Sequence, residues 1–135
     1  MSMTEIFRSL GRADALKLRE EAVSLTGTQI IDREHSAPAF DPNKDYSAWP
    51  IDAPVTDEGQ VWLLIQPHNA AHYTGRPSSL RALWALAHTT NPTKAKPWVD
   101  AYGTSGMYMK GECYKAADGT VYRAKDDNLV HDAAA

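Results

Sequence analysis

The chain has 135 residues, of which 43% are hydrophobic and 23% charged, and this composition is typical of a folded domain and excludes a disordered chain. Its net charge of -3 provides no electrostatic basis for binding nucleic acid, which normally requires a basic face.

Three further features narrow the class of protein. The one cysteine, Cys113, excludes an internal disulfide, so we expect a protein that folds in a reducing compartment. No run approaches the roughly 20 apolar residues of a membrane span. The start of the chain lacks the basic and then apolar pattern of a secretory signal, so we expect synthesis without a signal peptide.

The first predicted element is a helix over residues 4–25, with Thr4 as its cap and Gly27 as its terminator. Its narrow apolar stripe forms a weak heptad, and this stripe consists of Ala15, Leu18, Ala22 and Leu25. Two roles remain open for the stripe: it docks on its own domain, or it pairs with copies of itself. We treat residues 1–27 as an assembly segment and expect a homo-oligomer.

Residues 28–54 are predicted to form a linker rather than a regular element, because prolines interrupt them repeatedly. Exposed aromatic side chains would be a liability in such a linker. We therefore expect its aromatic residues to pin it onto the core, and these are Phe40, Tyr46 and Trp49.

A glycine–valine–aromatic pattern then occurs twice, as Gly59-Gln60-Val61-Trp62 and as Gly119-Thr120-Val121-Tyr122. Each glycine lies where two extended stretches reverse, so each copy predicts a β-hairpin with an aromatic residue on its outgoing strand. The first copy belongs to a unit over residues 55–90 and the second to a shorter unit over residues 91–135. Within the first unit, residues 79–88 are either a short helix or an extended packing segment. The predicted fold class is α+β, mostly β, with an N-terminal helix followed by two small antiparallel β-hairpin modules.

Further positions extend the similarity between the units. The first unit, with Tyr46 from the linker, carries Val55, Gly59, Val61-Trp62, Tyr73-Thr74 and Leu83-Trp84. The second carries Tyr108, Lys110-Gly111-Glu112, Asp118-Gly119 and Val121-Tyr122. In these residues the chain resembles small phage tail-associated proteins with two units like the chitin-binding carbohydrate-binding modules of families five and twelve. It departs from the family pattern at Val130-His131, where a tryptophan is usual.

The resemblance implies a virion structural protein of the tail, baseplate or fibre apparatus, made in the host cytoplasm. Its partners would be other virion proteins, and host surface polysaccharide would be the ligand of its modules. The alternative is a purely structural virion protein, a connector or capsid-surface component, whose modules bind only protein neighbours. The missing terminal tryptophan favours this alternative.

Sugar recognition requires a planar aromatic ring against the C–H face of a pyranose, with hydrogen-bonding groups nearby for the hydroxyls. Tyr73 is the best platform, because it lies in a polar loop; the alternative is that it packs across the hairpin in a small core. The candidate carbohydrate-binding set is Tyr73, His72, Asn69, Arg76 and Trp84. For Trp84, which ends an apolar run, core packing is the stronger interpretation.

Metal binding and catalysis are not expected. His68 and His72 have the spacing of zinc ligands on a helix, but Pro67 and Gly75 argue against a helix there. The acidic pairs are adjacent in sequence, as at Asp57-Glu58, so they do not face each other across a cleft as glycoside hydrolysis requires. No serine has the context of a nucleophile elbow. We predict a non-enzyme without cofactor, metal or catalytic residue, and without nucleic-acid or membrane partners.

Overall fold

The computed structural model describes residues 2–103, 105–127 and 129. Within them an N-terminal helix precedes two three-stranded sheets, which confirms the predicted α+β class, with small sheets in place of simple hairpins. The expectations that concern Val130-His131 and the chain beyond them lie outside the described residues.

Helix α1 spans Met3–Glu21 and begins with a capping box. The Ser2 hydroxyl accepts a hydrogen bond from the Glu5 amide, 3.1 Å, and the Glu5 carboxylate accepts one from the Ser2 amide, 3.0 Å. Leu18 is fully buried, and Ala22, in the 3₁₀ turn Ala22–Ser24 that follows α1, lies in a core cluster. Of the two roles left open for the predicted stripe, the structure selects docking on the chain's own core.

A second helix, α2, spans Gly27–Asp32 and corrects the prediction that residues 28–54 lack regular structure. Thr26 and Gln29 form its capping box, so Gly27 is the first residue of a helix and not the terminator of the one before. Its own residues Ile30 and Ile31 are buried and pack in the same core cluster as Val61.

The first sheet is antiparallel and consists of β1 (Pro54–Asp57), β2 (Gln60–Leu64) and β3 (Trp84–Leu86). Glu58 and Gly59 connect β1 to β2 with φ of 53° and 75°. Two positive values at the centre of a two-residue loop are the geometry of a type I′ turn, which confirms the first predicted hairpin. Of the two alternatives for residues 79–88, the extended one is correct, since they contribute β3.

An aromatic core lies against this sheet. The rings of Phe40 and Tyr46 stack at 6.1 Å, and Trp84 meets them edge-on at 5.8 and 5.3 Å. Trp49 packs on Tyr46 at 4.6 Å. The expectation that the aromatic residues of the linker pin it onto the core is confirmed.

The second sheet contains β4 (Lys96–Pro97), β5 (Cys113–Lys115) and β6 (Val121–Arg123), with β4 parallel to β5 and β5 antiparallel to β6. The Ala116 amide donates to the Thr120 carbonyl, 2.9 Å, and closes a three-residue loop in which Gly119 has φ of 85°. This is the geometry of a type I turn followed by a bulge. The two copies of the sequence pattern therefore turn by different means.

The two units are joined by hydrogen bonds and by rings. The Cys113 amide donates to the Thr89 carbonyl, 2.7 Å, and Gln60 Nε2 donates to the Pro97 carbonyl, 2.8 Å. A stack of three rings also crosses the boundary, and it consists of His88, Tyr108 and Trp98. In this stack His88 lies 3.8 Å from Tyr108, which lies 4.6 Å from Trp98, with interplanar angles of 12° and 15°.

Candidate functional site

The polar loop over residues 66–76 follows β2 and is fixed at its base by the chain of residues 44–46. The Tyr46 amide donates to the His68 carbonyl, 2.7 Å, and the Ala70 amide donates to the Lys44 carbonyl, 2.9 Å. Asn69 Oδ1 then accepts from the Ala71 amide, 3.1 Å, and caps one 3₁₀ turn. These bonds fix the backbone from which the residues after Ala70 continue.

Tyr73 lies just beyond that turn and is 46% exposed. Its ring stands at 90° to the ring of His68, with 5.3 Å between the centroids. Tyr73 therefore rests on a buried ring on one side while close to half of its surface remains open to solvent. That exposure disagrees with the alternative in which Tyr73 closes a small core.

His68 supports Tyr73, a role that the sequence did not indicate. It is buried, its Nδ1 donates to the Gln66 carbonyl at 2.8 Å, and Trp84 lies edge-on to it at 5.5 Å. The sequence predicts a polar loop histidine at position 68 and not a metal ligand, because histidine before a polar loop gives no signal of burial. No group of three or more His, Cys, Asp or Glu side chains that could hold a metal ion occurs within the described part of the chain.

Asn69 and His72 lie in the same loop as Tyr73 and carry polar side chains. Asn69 Nδ2 lies 3.5 Å from His72 Nε2, and the side chain of His72 is exposed. An amide and an imidazole in the loop that carries an exposed aromatic ring are groups that can donate to and accept from the hydroxyl groups of a sugar.

Arg76 anchors the far end of the loop to the first hairpin. Its Nε and Nη2 donate to the two carboxylate oxygens of the buried Asp57 at 2.9 and 2.7 Å, and this hydrogen-bonded pairing raises the pKa of the Arg76 guanidinium. Glu58 adds a longer ion pair at 3.5 Å. Only the exposed side of the guanidinium remains for a ligand.

The prediction that Trp84 binds carbohydrate is wrong. It is 0% exposed, and the rings of Phe40, Tyr46 and His68 cover it inside the core. Its place at the end of an apolar run reflects the buried strand β3, so the alternative of core packing is correct.

Most of the other large aromatic residues are more covered than Tyr73. The Arg19 guanidinium lies 3.8 Å above the ring of Trp49 and covers it. In the second unit, Tyr108 and Tyr114 are buried, and Trp98 stacks on Tyr108. Tyr102, at 65%, is the strongly exposed aromatic residue there. Tyr102 is more exposed than Tyr73, but among the described residues no ring packs against it, whereas His68 supports the ring of Tyr73. The candidate site is therefore the surface around Tyr73 in the first unit.

No family model, curated protein or solved structure matches this chain. Within the described residues, no helix combines the length and the apolar character needed to cross a membrane.

Proposed function

We propose that this chain is a phage virion protein of the tail, baseplate or fibre apparatus whose first unit contacts host surface polysaccharide through Tyr73. One observation carries the glycan part of the proposal: Tyr73 presents an exposed ring on a rigid support, with His68 buried behind it. A pyranose offers an apolar C–H face that packs on such a ring, and a braced ring loses little conformational entropy on binding.

The polar neighbours fit the same role. Asn69 and His72 supply hydrogen-bonding groups in the same loop, and Arg76 holds the loop to the hairpin through Asp57. The proposed activity is binding without bond cleavage. A single ring makes a weak contact, so repetition of the chain in a particle would supply avidity.

The glycan contact is tested by comparing the retention of Tyr73→Ala with that of the wild type on chitin and on host surface polysaccharide. Removal of the ring should abolish retention while the melting temperature stays nearly unchanged, because a half-exposed side chain contributes little to stability. Tyr73→Phe keeps the ring and should be retained like the wild type.

Tyr102→Ala is the matched control, since it removes an exposed tyrosine from the other unit and should leave retention intact. Equal loss with both alanine variants, or full retention of Tyr73→Ala, would refute the assignment of the site.

The alternative is a purely structural virion protein whose modules bind only protein neighbours. It is favoured by the scarcity of open aromatic faces, since Trp84 is buried and the donors of Arg76 that face Asp57 are engaged. Failure of the wild-type chain to be retained on any polysaccharide would support this alternative. The virion assignment itself is tested separately, by mass spectrometry of purified particles of the phage that carries the gene.

A further inference from the structure

Arg81 is a buried arginine outside the candidate site. It lies in the turn before β3 and is 8% exposed. Its guanidinium lies over the ring of Trp62, with 5.3 Å from Cζ to the ring centroid, and its Nη1 donates to the Asp100 carbonyl at 3.3 Å. Arginine is almost never this buried unless an acidic group pairs with it. Such burial therefore calls for a negative charge beside the guanidinium.

Within the described part of the chain, no carboxylate supplies that charge. No ion pair joins Arg81 to a described acidic side chain, and the carboxylate of Asp100 accepts instead from Trp98 Nε1 at 2.6 Å. Nε and Nη2 of Arg81 are both buried without a hydrogen-bond partner. The ring of Trp62 attracts a cation but offers no acceptor to these two N–H groups. The charge and the two donors of Arg81 are left unsatisfied together.

The two unsatisfied donors form one edge of the guanidinium, and the same edge is occupied in Arg76. There Nε and Nη2 donate to the two carboxylate oxygens of Asp57 at 2.9 and 2.7 Å. Arginine binds carboxylate and phosphate groups at two points in this geometry. Arg81 therefore presents the donor half of such a pair, and no described side chain presents the acceptor half.

The edge is covered by backbone that has few ties to the rest of the molecule. A Cβ added at Gly106 would lie 2.4 Å from Arg81 Nη2, so Gly106 packs directly against this edge. Between described residues, positions 101–107 make no backbone hydrogen bond to the rest of the chain. The cover therefore keeps a charge away from water without a bond of its own to hold it there, and a buried charge without a counter-charge destabilises the closed arrangement.

We propose that the Nε–Nη2 edge of Arg81 is a binding site for a carboxylate or phosphate group, which reaches it when Gly106 moves off the guanidinium. The site lies between the two units, because Trp62 belongs to the first and Gly106 to the second. It does not include Tyr73, so the proposal goes beyond the proposed function and does not depend on it.

The charge of Arg81 favours an anion over a neutral ligand. Burial lowers the pKa of Arg81, because the charged form loses its hydration. The guanidinium nevertheless stays protonated in a protein, so an anion at this edge neutralises a charge as well as accepting two hydrogen bonds. Carboxylate and phosphate carry two acceptor oxygens side by side, whereas chloride is a single point charge. Chloride should therefore bind poorly and serve as the reference ion.

NMR titration of the wild type with sodium acetate and with sodium phosphate tests the site, with the ionic strength held constant by sodium chloride. The Nε–H signal of Arg81 should shift to saturation with at least one of the two anions, and the amide signal of Gly106 should shift with it. The same anion should raise the melting temperature, because it binds the folded chain. A response to acetate alone identifies a carboxylate as the ligand, a response to phosphate alone identifies a phosphate, and a response to both supports the shared chemistry.

Arg81→Met removes the donors and should abolish the rise in melting temperature. Arg81→Lys keeps the charge without the edge and guards against misfolding of the first variant. It should weaken binding by about tenfold or more, since it loses a charge-assisted hydrogen bond. Arg12→Met is the matched control, because it removes the same charge from an exposed arginine on α1 and should bind like the wild type.

Three results would overturn the proposal. The first is a wild type whose Arg81 Nε–H signal shows no saturable shift with either anion. The second is a rise in melting temperature that persists in Arg81→Met, and the third is an equal loss of binding in Arg12→Met.

Discussion

Two glycines lie in helical segments, and the same substitution should act on them in opposite directions. In Gly27→Ala, at the start of α2, the added Cβ would lie 2.4 Å from the carbonyl oxygen of His88 and 3.3 Å from its amide nitrogen. In Gly11→Ala, inside α1, the added Cβ would meet nothing within 4 Å.

The magnitudes follow from two opposing effects. Alanine favours a helix over glycine by up to about 1 kcal/mol. At Gly27 this gain is outweighed, because the obstructing atoms belong to backbone that must shift by about 1 Å, and overpacking of this kind costs about 1–3 kcal/mol. We expect a net loss of about 1–2 kcal/mol and a melting temperature lower by about 4–8 °C. Gly11→Ala should be neutral or stabilising by up to about 1 kcal/mol.

Thermal unfolding followed by circular dichroism measures both variants against the wild type. A melting temperature of Gly27→Ala at or above that of the wild type would refute the close approach of α2 to His88. Clear destabilisation by Gly11→Ala would show that α1 does not run straight through residue 11 in open space.

Two further variants test the second turn and the aromatic core. Trp84→Ala should lose about 3–5 kcal/mol in urea unfolding, since it empties the centre of the core, and a loss below about 1 kcal/mol would contradict its burial. The bond from the Thr120 amide lowers the pKa of Asp118 below its ordinary 3.8, so the charged carboxylate stabilises the fold above that pH. This contribution disappears as the pH falls through the lowered pKa. Asp118→Asn should therefore melt below the wild type at pH 7 and approach it near pH 2, and a melting difference that does not change with pH would rule the effect out.

The hairpins could be predicted from sequence because turn chemistry is local. Glycine at position 59 or 119 between extended stretches is sufficient to place the reversal. The difference between the two turns depends on one residue of loop length, and it becomes visible only when the strands are paired.

Helix α2 was missed although its start signal is present. Thr26 and Gln29 have the spacing of a capping box, but the prolines that follow in residues 28–54 obscured it. Strand β3 pairs with β2, from which a long loop separates it, so a short stretch of sequence does not reveal which strand is its partner.

In the candidate site, too, some features follow from the local sequence and others depend on residues distant in sequence. The polar loop and Tyr73 were recognisable from composition, but whether Tyr73 faces solvent depends on His68 filling the space behind it. The opposite outcome at Trp84 has the same cause, since neighbours distant in sequence decide which aromatic ring is covered.

The ring stack of His88, Tyr108 and Trp98 bears on whether the first unit can be produced without the second. The sequence divides at residues 90 and 91, but the stack and the bond from Cys113 to Thr89 cross that boundary. Cutting there would expose a face of His88 and leave the Thr89 carbonyl without its partner, and each lost ring contact costs about 0.5–1.5 kcal/mol. We therefore expect the two units to unfold together, and the first unit alone to be less stable than it is within the full chain.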